Sequence, residues 1–385
     1  MDAWDVLKPQ PASKGGGVGA PSVRYGHGAV AFGSYMVVTH GYYLEMDDPD
    51  SPGVHFLDDT WAFDVVSKTW TKWALYSDRA PCGRFHGAVC ADGASLFLFG
   101  GTDGGFRSNG GTDFHFGKDA QMNDLWRLPL PTTEAQPMRT WQRLTPDAEG
   151  DDCPRKREML GAAAAGGKVW VFGGLGGDDT GAPDGLEALG DLWSFDAGGW
   201  RAHEPDGQPR PAARFGHRLC GDGDGFLVCG GRERVKIETD EDEDRRQLFG
   251  ELWRCAVGAG GPSWTLVAAD PSLARVDFAM ARDGPEVLVY GGNDAEGLLA
   301  TLPKEGVLCD AGLGVCAPLP VAAAADGAPH ARLHATLTVV PSPTDPQRSV
   351  LLLFGGESTD PYMYHGSVYA ASRLRPKRDV AAEGA

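Results

Sequence analysis

A Gly-Gly pair that ends an apolar run recurs along this chain, and nothing else in the sequence limits the fold as strongly. The clean copies are Leu96-Phe97-Leu98-Phe99-Gly100-Gly101, Val169-Trp170-Val171-Phe172-Gly173-Gly174, Leu227-Val228-Cys229-Gly230-Gly231, Leu288-Val289-Tyr290-Gly291-Gly292 and Leu352-Leu353-Phe354-Gly355-Gly356. Met36-Val37-Val38-Thr39-His40-Gly41 is a degenerate first copy. Self-similarity at a fixed spacing marks a repeat architecture, in which one supersecondary unit is copied around or along an axis.

Three further parts accompany each copy. Upstream stands an arginine-led segment, at Arg24, Arg84, Arg157, Arg214, Arg275 and Arg332. Downstream comes an acid followed by tryptophan, as in Asp59-Thr60-Trp61, Asp124-Leu125-Trp126, Asp191-Leu192-Trp193 and Glu251-Leu252-Trp253. A second tryptophan follows at Trp70, Trp141, Trp200 and Trp264. Four short strands joined by turns rich in Gly, Asp and Pro make one blade of a β-propeller. Six such units take up the 385 residues, so the expectation is all-β: one six-bladed ring over 1–371, with a basic, flexible tail at 372–385. The sixth unit lacks its fourth strand, while Trp4-Asp5-Val6-Leu7 has no strands before it. Pairing this N-terminal segment as the outer strand of the last blade closes the ring and removes an open edge.

With these parts in register, the sequence resembles the kelch-repeat family from Trp4 to about Ala371. The resemblance implies a propeller that binds other proteins. The spacing between copies exceeds the usual kelch unit of about 50 residues, which predicts enlarged loops.

Composition narrows the partners. Lys+Arg total 35 against 53 Asp+Glu, a net charge of −18 that repels nucleic-acid phosphates. No apolar run approaches the roughly 20 residues of a membrane span, and no secretory leader is evident, so the expected location is cytoplasmic, with the nucleus as an alternative. The eight cysteines contain no CxxC and read as buried thiols rather than a disulfide framework. The cluster Arg373-Leu374-Arg375-Pro376-Lys377-Arg378 reads as a solvated terminus, with a nuclear import signal as the other reading.

Binding is expected on the face that carries the long loops, because mobile loops on a rigid scaffold are where recognition residues concentrate. Its aromatic candidates are Tyr42, Tyr43, Phe106, Phe114, Phe116, Tyr362 and Tyr364. The acidic groups Asp47, Asp48, Asp50, Asp178, Asp179, Asp184 and the run Glu238 to Asp244 suit a basic partner surface, or are simply solvated. At the channel mouth the candidates are the six repeat arginines and four histidines, His27, His86, His217 and His334, read as occupying one equivalent position. The arginines either donate to nearby carbonyls and acids or present an anion site. The histidines are either repeat residues satisfied within their blades or a converging metal set.

The function expected is a monomeric protein-interaction scaffold without cofactor, resident metal or catalytic residues. Two enzyme alternatives come from resemblance. In one, similar to the plant nitrile-specifier proteins, iron is held by Glu-x3-Asp-x3-His; here Glu187 and Asp191 stand at that spacing and Phe195 replaces the histidine. In the other, similar to the kelch sialic-acid isomerases, the arginines bind an anionic sugar and His217 serves as acid or base.

Overall fold

The computed structural model describes residues 4–7, 19–45, 53–73, 80–104, 120–131, 140–148, 150–177, 185–204, 209–233, 247–293, 305–319, 329–359 and 362–375. They form a six-bladed β-propeller. Each blade is built on four antiparallel strands that run outward from the channel, in chain order in all but the last, and blade three adds a fifth short strand, Arg157–Glu158, paired with Leu175 and Gly176. Blade one, for example, is Gly28–Phe32, Tyr35–Thr39, Thr60–Asp64 and Thr69–Lys72. The inner strands of the other five begin at Ala88, Gly161, Arg218, Ala279 and Thr336. Consecutive inner strands touch around the ring, first against sixth included.

Blade six is completed from the other end of the chain. Asp5–Leu7 pairs antiparallel with Val368–Leu374, placing Asp5 opposite Ala370 and Leu7 opposite Val368. The ring is thus closed by the N-terminal strand, as the sequence expects. Val368–Leu374 runs past residue 371, so residues 372–374 belong to a strand of the blade. Arg373 in it is buried and ion-paired to Glu286 and Asp283 of blade five, so it is no solvated terminus. Residues 376–385 lie outside the described residues.

The core is divided among the blade interfaces. One cluster joins blades one and two, through Val37 and Ala62 against Leu96, Leu98 and Trp141. Equivalent clusters fill the other five interfaces, the last joining Phe354 and Val368 to Met36 and Trp70. The second tryptophan of each repeat reaches back to the blade before it. Trp70 meets Phe354, Trp200 meets Phe99 and Trp264 meets Phe172, with ring centroids 5.1, 5.1 and 5.5 Å apart. Trp4 does the same for blade six, 6.0 Å from Tyr290. These rings are the largest apolar surfaces available, so they dominate what holds blade to blade.

Blade five departs from this rule. Cys316 stands where the tryptophan stands elsewhere, directly opposite Cys309, and the two form a disulfide. This corrects the reading of all eight cysteines as thiols. Facing residues on antiparallel strands bring their Cα atoms to 4.1 Å here, close enough to bridge. The other six cysteines are free, and burial pushes Cys90, Cys220, Cys229 and Cys255 up to about 12, which leaves them unreactive.

Candidate functional site at the channel mouth

The six arginines do not line a binding surface. All are buried, between 0% and 5% exposed. Each places Nη1 on the carbonyl at the first position of its own glycine pair, at 3.0–3.1 Å: His40, Gly100, Gly173, Gly230, Gly291 and Gly355. Four also pair with the acid before the third strand. Arg24 meets Asp59 at 2.7 Å, Arg84 meets Asp124 at 2.5 Å, Arg157 meets Asp191 at 2.6 Å and Arg214 meets Glu251 at 2.8 Å. The indole N–H of Trp61, Trp126, Trp193 and Trp253 donates to the same four acids. In blade five Arg275 donates to the Glu305 carbonyl, and in blade six Arg332 lies over the Tyr369 ring. Committed within the blade, these guanidiniums are no anion site at the mouth, and the reading of them as one is corrected.

The arginine carbonyl faces the next contact. In all six blades it accepts the N–H of the second glycine of the preceding blade, at 2.8–2.9 Å. The first glycine has no room for a side chain there: a Cβ on Gly100 would sit 2.7 Å from the Arg157 oxygen, and one on Gly291 2.3 Å from that of Arg332. This close approach, together with positive φ, favours glycine at this position in five blades, while in blade one His40 takes it at a φ of 59°.

The four histidines do not occupy one position. His27 and His217 follow their arginine by three residues, His86 and His334 by two. The first pair is wedged between blades. His27 Nε2 bonds Thr336 Oγ1 at 2.8 Å, and His217 Nε2–H donates to the Phe172 carbonyl at 3.2 Å. Burial, reinforced by Arg24 and Arg214 respectively, holds both far below the usual imidazole range. Buried between blades three and four with its Nε2–H committed to the Phe172 carbonyl, His217 is not placed to act as an acid or base at the mouth.

His86 and His334 instead belong to the innermost ring. The residues two places after each arginine are Gly26, His86, Met159, Gly216, Asp277 and His334, all with positive φ. Their backbones form a belt around the channel: His86 N–H donates to Gly26 O, Met159 to His86, Gly216 to Met159, Asp277 to Gly216 and His334 to Asp277, at 2.7–3.0 Å. Gly26 leaves space for its neighbours to meet, and the His86 and His334 rings come to 4.8 Å between centroids. Glu158 Oε2 lies 3.3 Å from His86 Nδ1 and takes an amide N–H of Gln121 at 3.0 Å on its other oxygen. Asp277 Oδ1 lies 3.7 Å from His334 Nδ1. Burial pushes His334 down to about 3, against the opposing pull of Asp277. The row Glu158, His86, His334, Asp277 thus crosses the mouth. Among the described residues no three His, Cys, Asp or Glu side chains are placed to hold one metal ion.

Glu187 and Asp191 lie on one strand, Glu187–Asp196. Four residues of strand separate them by roughly 13 Å, too far to share one ion. Each is engaged elsewhere, Glu187 by Arg155 at 2.9 Å and Asp191 by Arg157. The iron-site reading is therefore corrected.

Among the loop aromatics, Tyr42 is buried, stacked on Phe85 at 5.0 Å, and serves packing rather than contact. Tyr43 is half-buried and stacks on His55 at 4.5 Å across the hairpin Tyr42–Glu45/Gly53–Phe56. Tyr362 and Tyr364 belong to a second hairpin, opposite Thr359 and Glu357. Phe106, Phe114, Phe116, the acidic run 238–244 and the aspartates at 47, 48, 50, 178, 179 and 184 lie outside the described residues.

No family model matches the chain. A leucine-zipper-like transcriptional regulator 1 homolog of Drosophila melanogaster is 26% identical over 284 residues, which is 73% of this chain. The chain spans about a quarter of that relative's length, 25%.

Proposed function

We propose that the protein is a kelch-type propeller that acts as a scaffold for a protein partner, bound through the face from which the long loops emerge. The supporting observation is how the repeat residues are used. Arginines, paired acids, glycines and tryptophans are all spent inside and between blades, so recognition falls to what the rigid ring displays. On the long-loop face that includes two hairpins, Tyr42–Glu45/Gly53–Phe56 and Glu357–Thr359/Tyr362–Tyr364, inserted after the glycine pairs of blades one and six. These blades are neighbours in the ring. The likeness to one part of a much longer regulator agrees with a module that recruits other proteins. A basic partner would suit the chain's charge of −18.

The test is affinity capture of the tagged protein with quantitative mass spectrometry, run beside two variants. Tyr43→Ala alters the loop face, and Leu313→Asp, at a residue 78% exposed in a turn of the opposite face, is the control. A partner lost with Tyr43→Ala and kept with Leu313→Asp supports the reading. Equal recovery by all three, or loss only with Leu313→Asp, overturns it.

A further inference from the structure

The inner strands enclose a cavity of about 120 Å³ in the channel. One water needs about 10–15 Å³, so there is room for several waters or a small organic ion. The residue four places after the repeat arginine lines this cavity in every blade. It is Gly28, Ala88, Gly161, Ala279 or Thr336 in five blades and Arg218 in blade four. Arg218 is thus the one long cationic side chain at this position; at Gly28 and Gly161 a Cβ would instead run into Val89 and Leu219 of the next blade.

Arg218 is poorly neutralised. Its Nη1 donates to the His217 carbonyl at 3.1 Å, and the guanidinium lies 6.0 Å from the Phe278 ring centroid. Among the described residues it has no ion-pair partner. Burial works against its charge, and Asp277 acts in its favour only at longer range. Asp277 is itself turned to His334, at 3.7 Å. A guanidinium carries five N–H donors in a planar fork that fits a carboxylate with two parallel bonds.

We propose that the channel binds a small monocarboxylate seated on Arg218. The walls set both limits. Asp277 and Glu158 are carboxylates near the mouth, so a second negative charge on the ligand would be repelled. The cavity volume admits an ion of a few heavy atoms. Occupancy would supply the charge partner that the fold withholds from Arg218, and it is independent of whether the loop face binds a protein.

The experiment is calorimetric titration of the full chain with sodium acetate at constant ionic strength and neutral pH, repeated with inorganic phosphate. Saturable one-to-one binding of acetate, much weaker binding of phosphate, and a loss of about tenfold or more in affinity for Arg218→Gln are expected. Asp277→Asn is the second arm. Asparagine tolerates the positive φ of 56° at this position, and removal of the opposing charge should tighten acetate severalfold. Should Arg218→Gln fail to fold by circular dichroism, the Asp277→Asn arm decides. No saturable acetate binding by the wild type, unchanged affinity in either folded variant, or phosphate binding as tightly as acetate overturns the proposal.

Discussion

The N–H of Gly356 donates to the carbonyl of Arg24 at 2.9 Å, joining the last blade to the first by the same bond that links every other pair of neighbours. The ring is therefore closed twice, once by this contact at the channel and once at its rim, where Asp5–Leu7 completes blade six. Neither end of the chain can leave without opening the interface between blades six and one or stripping the edge of blade six.

Removal of residues 1–8 should accordingly destabilise the whole ring. Trp4 is 1% exposed and packs on Tyr290, so Trp4→Ala alone is expected to cost about 3–5 kcal/mol. Urea denaturation followed by circular dichroism measures it. An unchanged midpoint for the truncated protein would show that the rim strand does not hold the ring.

Arg84 and Asp124 offer a sharper test of the arginine ladder. Both are nearly fully buried, so removal of one strands the other's charge in the interior. Arg84→Ala should lose about 3–5 kcal/mol, whereas the double variant Arg84→Met with Asp124→Asn should recover much of it. The same pairing sets an acid limit. Burial alone would raise Asp124, but the charge and hydrogen bonds of Arg84 prevail and hold it below the usual carboxylate range, as Arg24 and Arg157 do for Asp59 and Asp191. A depressed folded pKa means the contribution is complete above the unfolded value near 3.8 and is lost as pH falls through the folded value. Denaturant midpoints measured down the acid range should show this loss below about pH 4, and Asp124→Asn should decline less from its own neutral baseline; an equal decline would mean that other carboxylates carry it.

Much of this architecture was legible because its grammar is local. A glycine pair, an acid two residues before a tryptophan and an arginine sixteen residues ahead are visible in one sequence, and each has one physical job. The orphan Trp4 could be assigned for the same reason: it is the missing outer-strand tryptophan. The errors came where one residue of register matters. Arg24-Tyr25-Gly26-His27 and Arg84-Phe85-His86 look alike, yet the extra glycine moves the histidine from the channel ring to the blade interface. Counting residues from the arginine would have separated them. Cys316 was missed because cysteine content was judged for the whole chain rather than against the tryptophan register. Arg218 carried its own signal, as the one charge at a position otherwise held by Gly, Ala or Thr. The row of carboxylates and histidines across the mouth carried none, since Glu158 and Asp277 are brought to the histidines only by the packing of neighbouring blades.

Blade five should depend on its disulfide. Cys309–Cys316 closes a short loop, and its loss by Cys316→Ser should cost about 2 kcal/mol. Thiol titration of the unfolded, unreduced protein should find the six free cysteines and no others. Eight reactive thiols would show that the pair is not formed in the protein as purified.

The buried imidazoles predict a second pH effect, above the carboxylate range. Burial, reinforced by Arg84, pushes His40 down to about 3, and His334 is held at about 3 by burial. In the unfolded chain both recover the ordinary value of 6.5. Below that value the unfolded state binds protons that the folded state refuses, so stability is complete above about pH 6.5 and falls as pH drops toward 3. Each such histidine contributes a slope of up to about 1.4 kcal/mol per pH unit. The groups facing His334 are His86, Asp277 and Arg218, and only Asp277 opposes the effect. Asparagine accepts the φ of 53° at residue 334, so His334→Asn should keep the belt and remove one titrating group. Denaturant midpoints at pH 7, 6 and 5 should therefore decline less steeply in His334→Asn than in the wild type. Parallel declines would mean that His334 takes up its proton while folded, with Asp277 as the counter-charge.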